Sequence, residues 1–406
     1  MRIMLINHYA GSEYHGMEFR PYYLAREWVK QGHEVVIVAA DYSHLRKNNP
    51  ESAGLTEQSM DGIRYLWVKT PPYHGNGAAR AKNMAAFVFR LLHEAGSLAH
   101  KYQPEAVIAS STYPFDIYPA QKIARLSSAR LYFEIHDLWP LTQIELYGLS
   151  RANPYVMLLQ KAEDYAFTHA EKVISVLPQA YLHMEERGVS RAKFAYVPNG
   201  VSLEPGGEDG PIPYQDLIGE LKSQGKFIVL YLGGFAKANA LDEFVKSASL
   251  VGENVELLLV GDGVKNQELM DLSKGLGDKN IRFLDPVPKN KVRGLLNLAD
   301  CLYIGARRCS LYRYGVGMNK LYDYMMASRP VISGVEASND PVAESRCGLT
   351  VRPEDEREIA GAVRKLSSMP RRELEMMGAN GRAYVESRHD YRVLAKKFED
   401  LLKGRS

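Results

Sequence analysis

Residues 314–330, YGVGMNKLYDYMMASRP, bring an acidic side chain and a run of unpaired backbone amides into one short stretch. An apolar run at 301–304 precedes it and predicts a strand. Gly315 and Gly317 break the chain, and a helix pattern begins near Asn319 and stops before Pro330. A strand, a tight loop and a helix N-terminus make an anion site, because the first N–H groups of a helix lack intrahelical partners and its dipole places positive charge there. Asp323 falls one turn inside that helix. A carboxylate there can accept both hydroxyls of a ribose while the helix end holds phosphates, which predicts a nucleotide-sugar pocket.

Other loops carry ionisable or glycine-rich chemistry. HYAGSEYHGMEFR follows the first apolar run, and Gly11 and Gly16 let backbone approach a ligand, with Arg20 in the first turns of the next helix. It is not a GxGxxG fingerprint, which disfavours a dinucleotide cofactor. The competing reading is an ordinary turn with a surface arginine. In FEIHDLWP, His136 falls where a strand ends, a cleft-facing position. An imidazole there can hydrogen-bond a sugar hydroxyl or stabilise developing charge, and Asp137 could orient the loop. In YLGGFAKANALDEF, Gly233 and Gly234 close a strand and Lys237 projects from the following loop, where an ammonium would neutralise a diphosphate leaving group. The GDG at 261–263 reads as an architectural turn. Pro286 and Pro288 stiffen a loop whose backbone at Val287 could read a flat base edge.

These loops need a scaffold. Strands are predicted at 3–6, 34–39, 63–68, 106–110, 131–135 and 173–176, and again at 227–232, 255–260, 281–284, 301–304 and 331–333, with helical segments between them. A Gly-, Pro- and acid-rich stretch at 199–210 reads as a linker. The expected organisation is an α/β protein of two Rossmann-like domains, 1–203 and 204–385, followed by a C-terminal segment, 386–406, whose helix near 391–402 could pack back on the first domain. Ligands of open parallel sheets bind beyond the carboxyl ends of the strands, where these loops gather.

The chain has 406 residues, enough for two cores, and is 46% hydrophobic and 24% charged, which excludes general disorder. A net charge of +3 spread over both halves argues against a nucleic-acid binder. The three cysteines lack metal-ligand spacing and fit free thiols in a reducing compartment. No signal-peptide pattern opens the sequence and no run approaches a membrane span, so the expected location is cytoplasmic, or peripheral on the inner face of the plasma membrane. The segment 81–101 predicts a basic amphipathic helix. Such a helix can lie weakly on anionic lipid, or its apolar stripe can pack on the sheet.

Taken in order, the glycine loop with Arg20, GHEVVIV, FEIHDLWP, KVISV, YVPNGVS, YLGGFAK, LLLVGDG, ADCLYIG and YGVGMNKLYDYMMASRPVI resemble glycosyltransferase family 4, the retaining class with the GT-B fold. HDLWP and NKLYDYM are most similar to transferases of bacterial capsule, O-antigen and exopolysaccharide assembly. The resemblance implies two Rossmann-like domains facing across a cleft. It also implies metal-independent, cofactor-free transfer of a hexose or N-acetylhexosamine from a nucleotide-diphosphate sugar to a glycan or lipid-linked acceptor. It favours uridine as the base, though guanosine donors occur among relatives.

Residue by residue, the resemblance places Asp323 on the ribose, and the backbone of Gly317, Met318 and Asn319 on the diphosphate and sugar. Lys237 beside Gly234 would pair with the phosphates, Val287 would read the base, and His136 would touch the donor sugar near the reacting carbon. Gly16 would lie near the phosphates or acceptor. Two departures stand out. Gly315 occupies the position where many members carry a first glutamate. Only Lys237 is present where many pair an arginine with a lysine, and Arg308, Arg313 and Lys320 are the candidates for a second cation. The competing functions are a nucleotide-sugar 2-epimerase of the same fold and a non-catalytic nucleotide-sugar-binding assembly partner.

Overall fold

The computed structural model describes residues 1–75, 77–204, 210–277 and 280–405. The expected linker at 199–210 lies partly outside the described residues, at 205–209. The described chain divides into two compact units. The first contains Met1–Gly200, Arg313–Gly317 and the C-terminal helix Tyr391–Leu402; the second contains Val201–Tyr312 and Met318–Asp390.

The first unit is built on an eight-stranded sheet of β1 (Arg2–Ile6), β2 (Glu34–Ala40), β3 (Leu55–Met60), β4 (Ile63–Val68), β5 (Ala106–Ala109), β6 (Arg130–Ile135), β7 (Lys172–Ser175) and β8 (Phe194–Tyr196). Its strand order is 3-4-2-1-5-6-7-8, and every pair is parallel except β3 with β4. Valine, isoleucine and leucine fill the central strands because both faces are covered. β3, LTEQSM, was not expected. As an edge strand it is half exposed and shows no apolar run. Its one signal is the dipeptide Asp61-Gly62 before IRYLWV. Both residues have positive φ, 50° and 76°, as a tight hairpin turn requires.

Chain order reverses between β1 and β5. Register aligns Ile6 with Ala109 and Ala109 with Phe133. One step further along, the three strands therefore present Asn7, Ser110 and Glu134 side by side at the switch point, where open parallel sheets bind ligands.

The helix Ala78–Tyr102 buries Phe87, Leu91, Ala95, Leu98 and Ala99 against the helix Ile117–Ser127 and β4. Its apolar stripe is thus already covered by protein and is not a lipid-facing surface. Among the described residues no helix is long and apolar enough to cross a membrane. The helix Tyr391–Leu402 inserts Leu394, Ala395 and Phe398 into the first unit's core, where the Trp28 indole donates to the Ala395 carbonyl at 3.0 Å.

The second unit carries an all-parallel sheet of β9 (Phe227–Leu232), β10 (Val255–Val260), β11 (Ile281–Leu284), β12 (Cys301–Gly305), β13 (Val331–Gly334) and β14 (Gly348–Thr350), in the order 11-10-9-12-13-14. Its switch point lies between β9 and β12. The helix Asn319–Met326 follows β12 and buries Leu321, Tyr322, Tyr324 and Met325. The Tyr324 hydroxyl donates to the Leu232 carbonyl at 2.9 Å and accepts from the Leu232 amide at 2.7 Å, which ties this helix to the end of β9.

Candidate functional site

In the first unit the polar groups at the switch point form one connected network. Arg20 was expected at a ligand surface and is not there. It is buried, and its guanidinium donates to Glu134 Oε1 from Nε at 3.0 Å and from Nη2 at 2.9 Å, and to the carbonyls of Val197 and Pro198 at 2.9 and 2.5 Å. A buried guanidinium needs a carboxylate and filled donors, and Glu134, itself fully buried, supplies the carboxylate. Glu134 Oε2 accepts the Ser110 hydroxyl at 2.6 Å. Burial alone would push the Glu134 pKa up. The Arg20 charge and the bonds from His136 and Ser110 more than reverse that and hold it well below the usual carboxylate range.

His136 follows Glu134 by two residues, so both face the same side of β6. Its Nε2 lies 3.0 Å from Ser110 Oγ and 3.4 Å from Glu134 Oε2. Burial lowers its proton affinity, but the hydrogen bond and charge of Glu134 raise it further, and the net shift is upward. Glu18, which sequence reasoning passed over, is half-buried beside this cluster and accepts from Thr112 Oγ1 and Asn7 Nδ2, each at 3.1 Å.

Gly16 has φ +76°, and its loop closes on itself through a Gly16 amide bond to the Ser12 carbonyl at 2.8 Å. A side chain on Gly11 would strike the Gly16 carbonyl at 1.8 Å. Both glycines are therefore required by the turn itself.

Gly317 was expected in the second domain with the rest of its motif. The segment Arg313–Gly317 instead belongs to the first unit, where Gly317 accepts from Asn199 Nδ2 at 2.8 Å, the Tyr314 carbonyl accepts from the Gln179 amide at 3.0 Å, and Arg313 pairs with Glu145 at 2.8 Å.

In the second unit, Met318 is the N-cap residue of the helix Asn319–Met326, Asn319 is exposed at its first position, and Lys320 and Asp323 share one face three residues apart. Lys320 Nζ donates to Tyr231 Oη at 2.7 Å and sits 4.5 Å from the centre of that ring. Burial lowers the Lys320 pKa to about 8. A Cβ on Gly233 would lie 2.7 Å from both Cε and Nζ of Lys320, so the first glycine of the pair clears space for this ammonium.

Gly234 and Lys237 are exposed in the loop that follows, ahead of a left-handed Ala240 with φ 46°. Asp323 Oδ2 pairs with Lys289 Nζ at 2.8 Å and its side chain is 27% exposed. Lys289 directly follows the Pro286–Pro288 loop, where Val287 is half-buried against the core around Leu321 and Tyr324. The loops after β9 and β11 thus both meet one face of a single helix. Of the three candidate second cations, Lys320 stands on the helix itself, Arg308 pairs with Glu336 at 3.5 Å and Arg313 pairs with Glu145 within the first unit. Among the described residues no group of three His, Cys, Asp or Glu side chains could hold a metal ion.

Residues 15–200 match the glycosyl transferase 4-like domain, and residues 226–369 match the glycosyl transferases group 1 domain. The chain is a glycosyltransferase of the family 4 type, with the two-domain GT-B fold. Solved structures agree on the fold across the whole length. Sucrose-phosphate synthase from Thermosynechococcus elongatus is 16% identical with a TM-score of 0.73, over 99% of this glycosyltransferase and 98% of that chain. WaaG, a glycosyltransferase involved in lipopolysaccharide biosynthesis, is 15% identical with a TM-score of 0.67, over 99% and 100%. Anabaena HepE, solved with UDP and glucose, is 13% identical with a TM-score of 0.67, over 99% of each chain. No curated protein matches in sequence.

One buried group of this glycosyltransferase sets a pH dependence of stability. Asp116 Oδ2 accepts the amides of Ser110 and Ser111 at 3.1 and 2.9 Å, while Oδ1 is buried with no hydrogen-bond partner among the described residues. Burial pushes its pKa from 3.8 up to about 7 despite those bonds. A folded-state pKa above the unfolded one contributes stability that is complete below about pH 4 and is lost as pH rises through about 7. Asp116→Asn keeps the acceptor and never ionises. Its melting temperature should match wild type near pH 4 and exceed it at pH 8, where its unfolding free energy is higher by at most roughly 4 kcal/mol. Parallel melting curves over that range check the sign.

Proposed function

We propose that this glycosyltransferase is a retaining, metal-independent enzyme that moves a hexose or N-acetylhexosamine from a UDP-sugar to a glycan or lipid-linked acceptor in cell-surface polysaccharide biosynthesis. One observation carries the donor assignment. A half-exposed carboxylate, Asp323, and a half-buried ammonium, Lys320, share one face of a helix whose N-terminus follows the switch-point strand β12. The carboxylate is the acceptor a ribose diol needs. The ammonium, the helix N-terminus and Lys237 are what a diphosphate leaving group needs. HepE, solved with UDP and glucose, supports a uridine donor, and WaaG supports the biosynthetic setting.

In the proposed reaction the acceptor hydroxyl attacks the anomeric carbon on the face from which the diphosphate departs. The carbon–oxygen bond to the diphosphate breaks as the new glycosidic bond forms, and the departing phosphate oxygen takes the acceptor proton. Lys237, Lys320 and the amides of Met318 and Asn319 stabilise the charge that develops on the leaving group. His136 meets the donor sugar near the reacting carbon.

Thermal-shift screening against a nucleotide-sugar panel tests the donor, because a ligand that binds only the native state raises its melting point. The stabilising donor is then incubated with and without acceptor. Conversion of donor alone to its 2-epimer would replace transfer by epimerisation, and binding without turnover across an acceptor panel would replace it by a binding role. His136→Ala should lower kcat roughly a hundredfold with donor affinity close to wild type. Unchanged turnover would return His136 to a structural role.

A further inference from the structure

We propose that Glu134 is a positioning residue of this glycosyltransferase: acting through Ser110, it keeps a proton on His136 Nε2 and leaves Nδ1 as the ring atom that meets the sugar. The proposal rests on the reading of His136 as a donor-facing residue. It adds which atom faces the donor and what sets that atom's protonation.

The argument is one of counting protons. An ionised carboxylate only accepts hydrogen bonds, and a serine hydroxyl has a single proton to give. Ser110 Oγ lies 2.6 Å from Glu134 Oε2, so that proton points at the carboxylate. The remaining contacts of Ser110 Oγ must then be accepted, and one of them is His136 Nε2 at 3.0 Å. The second neighbour of Nε2, Glu134 Oε2 at 3.4 Å, is also an acceptor. Both neighbours of Nε2 therefore demand a proton on it, in the neutral ring as well as the cationic one. Nδ1 is the nitrogen that titrates.

The frame cannot swing away. Glu134 Oε1 is held by two donors of Arg20, and Arg20 is held in turn by the carbonyls of Val197 and Pro198. Ser110 is pinned through its backbone. Its amide donates to Asp116, and its carbonyl accepts from Asn7 Nδ2 at 2.7 Å. The charged groups facing the ring are Glu134 two residues before it, Glu18 and Arg20 from the loop and helix after β1, Asp116 from the turn after β5, and the adjoining Asp137. Acids outnumber the one cation, which favours the doubly protonated ring, the form in which Nδ1–H can donate to a sugar oxygen.

The test uses the full chain without ligand. Long-range nitrogen–proton NMR of the imidazoles reports tautomer and titration midpoint, and His136→Ala identifies the His136 signals among the 11 histidines. Wild type should show the Nε2–H pattern when neutral. The His136 midpoint should fall by about one pH unit or more in Glu134→Gln. Because that variant leaves Arg20 without its carboxylate, Ser110→Ala is measured beside it. Ser110→Ala keeps the Arg20–Glu134 pair, removes the hydroxyl relay, and should increase the share of the Nδ1–H tautomer. It should also lower kcat with donor KM nearly unchanged. An Nδ1–H tautomer in wild type, or a tautomer and midpoint unaltered in Ser110→Ala, overturns the proposal. Absence of transfer with every donor and acceptor would instead overturn the transferase reading, while the NMR result stands separately.

Discussion

Asp323→Ala should abolish most transfer and leave the fold intact. A carboxylate that accepts both ribose hydroxyls makes two charge-assisted hydrogen bonds, each worth about 1.5–3 kcal/mol. Losing both lowers kcat/KM for the donor by roughly a hundredfold to ten-thousandfold. Stability should scarcely change. Among the described residues the ion pair lost is with Lys289, which is 59% exposed, and such surface pairs contribute about 0–1 kcal/mol. Steady-state kinetics with the stabilising donor, together with melting temperature, separate the two effects. An Asp323→Ala enzyme that binds and turns over donor as wild type does would place the ribose elsewhere.

Lys320→Met should cost donor affinity by roughly tenfold to a hundredfold while making the protein more stable at neutral pH. The affinity loss follows from removing a charge-assisted contact to a diphosphate, worth about 1.5–3 kcal/mol. The stability gain follows from burial. The fold lowers the Lys320 pKa from 10.5 to about 8, so between those values the unfolded chain holds more protons at this site and stability rises with pH. Below about pH 8 the folded state carries a charged ammonium that burial opposes, and methionine relieves this. The same pKa predicts a limb in the pH profile. Donor kcat/KM should fall above about pH 8 in wild type, because that ratio reports the free enzyme. In Lys320→Arg the limb should disappear, since a guanidinium stays charged throughout. A wild-type profile flat to pH 9.5 would show that the ammonium plays no part in donor capture.

How much of this could be read without coordinates depends on the range of the interaction. The buried strands were legible because a strand covered on both faces must be apolar along its whole length. The segment 227–232, FIVLYL, meets that demand and is a strand over the same residues. The edge strand β3 escaped because one of its faces meets water, and only the Asp61-Gly62 turn betrayed it. The helix at Asn319 and the spacing of Lys320 and Asp323 on it were legible as local facts.

Arg20 was misplaced for the opposite reason. Its residue type suits a phosphate and a buried carboxylate equally, and its partner Glu134 stands 114 residues away. Glu134, Ser110 and Asp116 gave no signal at all, since a lone acid or serine in a strand or turn has no periodicity to betray its partners.

From sequence alone came the order of strands and helices, the glycine-rich turns at strand ends, and the helix that couples an amide-lined end to an acid, all set by steric and hydrophobic preferences acting over a few residues. Only the tertiary structure decided which ionisable groups meet. β5 pairs beside β1, which brings Ser110 to Asn7 and Glu134, and the helix after β12 packs beside β9, which brings Lys320 under Gly233. Those meetings depend on the lateral order of strands, which hydrogen bonding between distant segments establishes and no local pattern encodes.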